Sequence, residues 1–269
     1  MVICCRIAML IKLLSEKNMK EFKSWQSFLM FWLDVTKSNR YLFSKESKDF
    51  LDTVRFTSKN KTEKIPEGSI LWRAQLGHSW EPLIQHDVHI DDIPSPFPPE
   101  RMKPLENEAT EGRANPKGIS YLYLATHRET ALSEVRPWIG SYISIANFKT
   151  IKELSIVNCT TDENKYRIYL AEPNTKKKET AVWVAIDKAF SMPVNQSDKT
   201  ADYSPTQVIA ETFKNNGYDG LAYRSSLGEG HNIVLFDISA AKLVNCSLFE
   251  TEKVQFKFKQ ASEMYSLEQ

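Results

Sequence analysis

The chain has 269 residues, 42% of them hydrophobic and 26% charged, which suits a soluble globular protein with a sizeable core and excludes a disulfide-stapled miniprotein, wholesale disorder and fibrous architectures. Glycine occurs only 9 times, so low-complexity sequence is set aside as well. Basic and acidic side chains number 35 and 34, for a formal charge of +1. No global field draws such a chain onto nucleic acid or an anionic membrane, and a small molecule or a protein is the expected partner.

Cys4, Cys5, Cys159 and Cys246 show neither the CxxC spacing of a zinc site nor a secreted disulfide framework, and read as reduced thiols. Residues 2–14 are apolar, but Arg6 and Lys12 interrupt them, no small-residue cleavage site follows and the stretch is too short to span a bilayer. A cytoplasmic location is expected.

Along the chain, apolar residues recur at three and four positions in Ile7, Leu10, Ile11 and Leu14, then in Trp25, Phe28, Leu29 and Trp32, predicting a helical N-terminal extension over residues 1–64. The lysine-rich stretch 57–64, with Pro66 and Gly68 behind it, marks the boundary with a second unit over residues 65–269. Short apolar runs at 70–72, 121–124, 142–145, 221–223 and 233–236 predict strands. A last strand is predicted over 254–259 from the alternation of Val254, Phe256 and Phe258. Residues 77–110, with Pro94, Pro96, Pro98 and Pro99, read as a long lid or specificity loop. Thr126 and Glu129 fit a capping box at the start of one helix. Ser204, Pro205 and Gln207 supply cap, first-turn proline and box partner for another, which should stop near Gly217. Strands and helices without regular alternation give an α+β class.

Four polar residues stand beside segments that should be anchored in the core. Arg73 ends a strand that would hold its guanidinium stiffly enough to fork onto a phosphate or carboxylate, or else it snorkels to water. Arg113 lies in the turn 112–118, whose backbone donors and two cations precede a buried strand and could receive an anion. Glu134 borders the apolar side of its helix, where it is half-desolvated; an ion pair with Arg128 or Arg136 is the plain alternative. Ser225 follows the 221–223 strand without the glycine-flanked elbow of a nucleophile, so it suits ligand bonding or a turn that bonds its own backbone. His86, His89, Asp91 and Asp92 have a spacing that metal ligands can use, but a solvated polar loop explains them better. Phosphate-loop, dinucleotide-binding GxGxxG and kinase signatures are absent.

Taken together, Leu71-Trp72-Arg73, the Gly-Arg-x-Asn-Pro turn ahead of Leu122-Tyr123-Leu124-Ala125, the helix containing Ala131, Glu134 and Val135, and Asp219-Gly220-Leu221-Ala222-Tyr223-Arg224-Ser225 ahead of Asn232-Ile233-Val234-Leu235-Phe236 resemble the RES domain family over about residues 70–240. Ala114 stands where that family often has tryptophan and Arg224 where it often has proline, and the interval from Arg73 to Glu134 is long. The resemblance implies an ADP-ribosyltransferase-like split sheet with flanking helices and NAD as a substrate in the cleft, with no metal. It implies a toxin that degrades NAD by hydrolysis or phosphorolysis and is neutralised by a cognate antitoxin protein. Carried over by motif, Arg73, Glu134 and Ser225 become the catalytic residues, and Arg113, Tyr123, Tyr121 and Asn232 the binding residues. Tyr123, or else Tyr121, is then the ring beside the nicotinamide. A protein mono-ADP-ribosyltransferase and a non-enzymatic nucleotide-binding module are the alternatives. No nucleic-acid or membrane partner is expected, and the helical extension would serve as a dimer contact, a docking site or plain core.

Overall fold

The computed structural model describes residues 21–105, 109–162, 167–192 and 200–255, with 258 and 260. The apolar stripe from Ile7 to Leu14 lies outside them. The described part of the extension contains α1 (Ser27–Leu33), continued by a wide π turn, and α2 (Lys45–Thr57). Ser44 caps α2 by accepting the Ser47 N–H at 3.2 Å, and Phe50, Val54 and Thr57 recur at helical spacing on the buried face. A short 3-10 turn leads into strand β1 (Thr62–Ile65), so the boundary drawn at residue 64 falls within a strand.

Strands β2 (Ile70–Leu76), β5 (Leu122–Ala125), β6 (Tyr142–Thr150), β8 (Gly220–Arg224) and β9 (His231–Leu235) form where the apolar runs predict them. With β1, β7 (Leu154–Asn158) and β10 (Ala241–Glu250) they make one eight-stranded sheet, ordered β1-β7-β8-β9-β5-β2-β6-β10. All neighbours are antiparallel except β7 and β8. The fold is α+β, and the sheet is nearly split. β5 matches β9 over four residues and β2 matches β6 over seven, whereas β2 and β5 share the single pair Trp72↔Ala125. That seam divides the sheet into two halves.

Residues 79–95 overturn the loop reading. They form a hairpin of β3 (Ser79–Gln85) and β4 (Val88–Ser95), a separate two-stranded sheet. Its turn residues His86 and Asp87 have φ of 50° and 59°, the type I′ twist that suits a two-residue hairpin. Proline misled the reading: Pro94 sits opposite Trp80 on an arm with no further strand beside it, where a missing N–H costs no ladder bond. One turn of helix, α3 (Pro99–Met102), follows.

Of the strand predicted at 254–259, residues 256, 257 and 259 lie outside the described residues. Its described residues carry no strand, and the sheet edge is formed upstream by β10. A register shift between Leu243 and Asn245 breaks the alternation of β10 and hides it from a period-two reading.

The remaining helices are α4 (Arg128–Glu134), α5 (Thr175–Ser191) and α6 (Ser204–Asn215). The expected capping boxes do not form. His127 occupies the N-cap of α4 without a side-chain bond, and the Thr126 hydroxyl instead accepts the His231 N–H at 3.0 Å. Tyr203 occupies the N-cap of α6, also without a side-chain bond, with Ser204 and Pro205 as the first helical residues. Gly217 follows with φ of 83°, the left-handed stop that was expected. On one side of the sheet α1, α2, α5 and α6 share a core in which Phe31, Phe50 and Val54 join Trp183, Phe190 and Phe213. The other side packs Phe97, Met102 and Phe148 against Leu122, Ile233 and Leu235.

Candidate active site

The seam collects the polar residues. Ala125 pairs with Trp72 on one side and Asn232 on the other, and Asn232 pairs in turn with Tyr223, so these four residues form one lateral row across β2, β5, β9 and β8. Two strand spacings, about 10 Å, separate the backbones of Trp72 and Asn232. β5 then turns into α4, which ends at Glu134.

Glu134 Oε1 accepts hydrogen bonds from Ser225 Oγ and from Asn232 Nδ2, both at 2.7 Å. Ser225 also accepts the N–H groups of Leu227 (3.1 Å) and Gly228 (3.2 Å), so it bonds its own turn and the carboxylate at once. Ser225 and Asn232 are 8% and 6% exposed, which leaves the two donors little freedom to leave the carboxylate for water. The Thr130 hydroxyl donates to the Glu229 carbonyl and ties α4 to that turn. Among the described residues Oε2 of Glu134 accepts no hydrogen bond, and the residue is only partly buried, so a ligand can reach this oxygen. Neither Arg128 nor Arg136 pairs with Glu134: Arg128 instead meets Glu129 at 2.8 Å.

Arg73, expected at a strand end, stands in the middle of β2, because the ladder with β6 continues to Leu76; its guanidinium turns into the seam, where Nη1 donates to the Tyr123 carbonyl at 3.1 Å. Burial depresses its guanidinium pKa, and its buried Nε has no partner. A buried, partly unsatisfied guanidinium favours an incoming anion or ribose oxygen. No hydrogen bond joins Arg73 to the Glu134 group among the described residues.

The turn bearing Arg113 differs from its reading as an open anion loop. Three of its backbone donors are already engaged: Ala114 N–H on the Tyr123 hydroxyl (3.0 Å), Gly112 N–H on the Asn115 carbonyl (2.9 Å) and Gly118 N–H on the Ala109 carbonyl (2.9 Å). Asn115, buried, donates through Nδ2 to the carbonyls of Thr110 (3.0 Å) and Ile119 (2.9 Å) and accepts the Tyr123 hydroxyl at 2.7 Å. A Cβ on Gly112 would lie 2.5 Å from Asn115 Oδ1, so only glycine fits there. Gln207, read as a capping partner, reaches the carbonyls of Gly112 (2.9 Å) and Asn115 (3.1 Å) from α6. Arg113 itself donates to the Phe190 carbonyl at 3.1 Å and lies over the Tyr223 ring at 5.9 Å.

The two tyrosines expected beside a ligand ring are otherwise engaged. Tyr123 ties the turn, and burial drives its phenol well above the ordinary range. Tyr121 is 2% exposed, packs on Phe236 at 5.0 Å and is pushed up to about 12 by burial. The sequence reading missed Tyr223, which stands in the lateral row beside Asn232. Burial pushes its phenol up to about 12, with Arg113 pulling it down and Glu134 adding to the rise. Its place on an apolar strand gave no signal.

The His86, His89, Asp91 and Asp92 group sits at the hairpin tip, where His89 Nε2 and Asp92 Oδ1 pair at 3.0 Å in solvent. Among the described residues no group of three or more His, Cys, Asp or Glu is placed to hold a metal ion. Nor is any helix among them long and apolar enough to cross a membrane.

Comparison with known proteins adds three findings. No curated protein matches the sequence. Among solved structures, the chain is similar to one in the M. tuberculosis MbcT–MbcA toxin–antitoxin complex, with 13% identity and a TM-score of 0.41, over 73% of this chain and 92% of that one. The family model for the RES domain matches residues 70–258, from the start of β2 past the end of β10, and so contains Arg73, Arg113, Glu134, Ser225 and Asn232. With well over half of its residues inside that match, the chain belongs to the RES domain family.

Proposed function

We propose that this protein consumes NAD by cleaving the nicotinamide–ribose bond, with water or inorganic phosphate as acceptor, and that it acts as a cytoplasmic toxin held in check by an antitoxin protein. The observation that carries the reading is the Glu134 carboxylate, with one oxygen fixed by Ser225 and Asn232 and the other open. Breaking the bond from ribose C1′ to the nicotinamide nitrogen leaves the electron pair on nicotinamide, which departs neutral, and positive charge develops on the ribose as in glycoside hydrolysis. A carboxylate preorganised by two donors stabilises that charge without having to reorganise. The acceptor oxygen then bonds to C1′, and in hydrolysis the water releases a proton to solvent. Arg73, with its unpartnered Nε at the seam, suits a pyrophosphate or ribose oxygen, and Arg113 is a second cation for the same ligand. Ser225 and Asn232 hold the carboxylate in place and offer contacts to ribose or carboxamide. Tyr123, on this reading, acts by fixing the turn that carries Arg113.

The test is chromatography of products after incubation with NAD, with and without phosphate. Wild-type protein should release nicotinamide together with ADP-ribose or its phosphate ester. Glu134→Ala should release it ~10² to 10³ times more slowly in a protein that still folds, with some loss of stability because the Ser225 and Asn232 donors lose their acceptor. A wild-type rate in that variant would overturn the role given to Glu134. Labelled NAD appearing on a protein would identify a transferase instead, and saturable binding without nicotinamide release a binding module.

A further inference from the structure

α5 carries one carboxylate on its buried side that the proposed chemistry does not use. Asp187 is fully buried, and donors from three places in the fold converge on it. Thr161, beyond the end of β7, gives its N–H and its hydroxyl to Oδ2, both at 3.0 Å. Ser191, one turn along α5, gives its hydroxyl to Oδ1 at 3.2 Å. Arg224 gives its main-chain N–H to Oδ1 at 3.3 Å, and its Nε lies 3.4 Å from Oδ2. A buried carboxylate persists only when it is paired and hydrogen-bonded on both oxygens, as here. Its grip on Arg224 is double, through the main chain and the side chain, and Arg224 is the last residue of β8. The next residue is Ser225.

We propose that Asp187 is a positioning residue: by holding Arg224 at both its backbone and its guanidinium, it fixes the end of β8 and so sets the place from which the Ser225 hydroxyl reaches Glu134. Beyond β8 the chain runs into a polar turn, whose own ties are the bonds of Leu227 and Gly228 to Ser225 and the Thr130 hydroxyl on Glu229. On the strand side the ladder pair Arg224↔His231 holds the main chain, and Asp187 adds a tie to both the backbone and the guanidinium. Its consequence for turnover rests on the roles given above to Glu134 and Ser225, whereas its consequence for geometry does not.

The experiment therefore reads both. Asp187→Asn keeps the shape and removes the charge; Arg224→Ala, run beside it, removes only the guanidinium grip and serves if the first variant does not fold. Amide hydrogen exchange of Leu227 and Gly228, which report whether Ser225 is in place, is compared with that of Ala74 and Phe148 in the β2–β6 ladder. The expected result is exchange about tenfold faster at Leu227 and Gly228 in Asp187→Asn, and a smaller rise in Arg224→Ala, with Ala74 and Phe148 unchanged. Unchanged exchange at Leu227 and Gly228, or an equal rise at all four amides, would overturn the proposal whether or not the protein cleaves NAD. Nicotinamide release is then measured in wild type, Asp187→Asn, Ser225→Ala and the double variant. A residue acting through Ser225 should lower kcat about tenfold in the wild-type background and less than about twofold once Ser225 is gone. The same loss in both backgrounds would show that Asp187 acts elsewhere. Absence of nicotinamide release from wild type would defeat the functional reading alone and leave the exchange result to decide the positioning role.

Discussion

Tyr123 shows how a side chain expected beside a ligand can work for the scaffold. Its hydroxyl donates to Asn115 Oδ1 at 2.7 Å and accepts the Ala114 N–H at 3.0 Å, joining β5 to the turn that carries Arg113. Tyr123→Phe leaves a buried N–H and an amide oxygen without partners. The expected loss of stability is about 1–3 kcal/mol, read from urea denaturation midpoints. A variant as stable as wild type would show that the turn holds without this link. Glu134 poses the opposite case, a side chain whose two neighbours stabilise one oxygen and leave the other for a ligand. Glu134 was legible as a helix-border carboxylate, and Arg73 as the polar residue that closes an apolar run, although β2 continues to Leu76 and sets Arg73 in mid-strand. Tyr223 was not, because a tyrosine inside an apolar strand looks like core until the strand beside it brings Asn232 into register.

At the scale of elements, α2 depends on a cap that links it to the turn after α1. Ser44 accepts the Ser47 N–H and donates to Asp34 at 2.7 Å, and the Ser47 hydroxyl donates to the same carboxylate. Ser44→Ala should cost about 1 kcal/mol, measured as a shift of the urea midpoint. The hydroxyls of Ser47 and then Ser44 hold the Asp34 carboxyl below its ordinary range. A carboxyl depressed in the folded state adds stability above its unfolded pKa and loses it as pH falls through the folded one. The contribution is therefore complete at neutral pH and fades below about pH 4. Asp34→Asn should accordingly flatten the acid limb of the stability profile below that pH, and an identical limb would contradict the assignment. Element existence was legible where strands are buried on both faces, as at 122–125 and 231–235, because such strands read as unbroken apolar runs. It was not legible for β10, with its register shift, or for the β3–β4 arm, whose prolines lie where no ladder needs them.

For the whole molecule, the helical extension and the sheet share one core. Phe22, Phe28, Phe31, Phe50 and Val54 are packed in the cluster that holds Trp183 and Phe213. Removing residues 1–64 would strip β1 of most of its length and expose this apolar face to water, at roughly 25 cal/mol for each Å² uncovered. Residues 65–269 expressed alone should aggregate or lose the near-ultraviolet signal of packed Trp183, observed by size-exclusion chromatography and circular dichroism. A monomer with the native signal would show that the extension is an appendage. The seam between β2 and β5 is likewise a property of the whole, since it exists only because two half-sheets meet at one residue pair.

The sequence by itself determined the α+β class, the strands of the sheet centre and the identities of Arg73, Glu134 and Ser225 as candidates, because burial on two faces and isolated polar residues at the edges of apolar runs leave local marks. Only the tertiary structure decided that Glu134 and Ser225, 91 residues apart, share a hydrogen bond, that Asn232 joins them, and that Asp187 holds the strand end beside Ser225. Those contacts arise from register between strands distant in the chain, and register is set by the sum of side-chain packing across the sheet, which no local window contains.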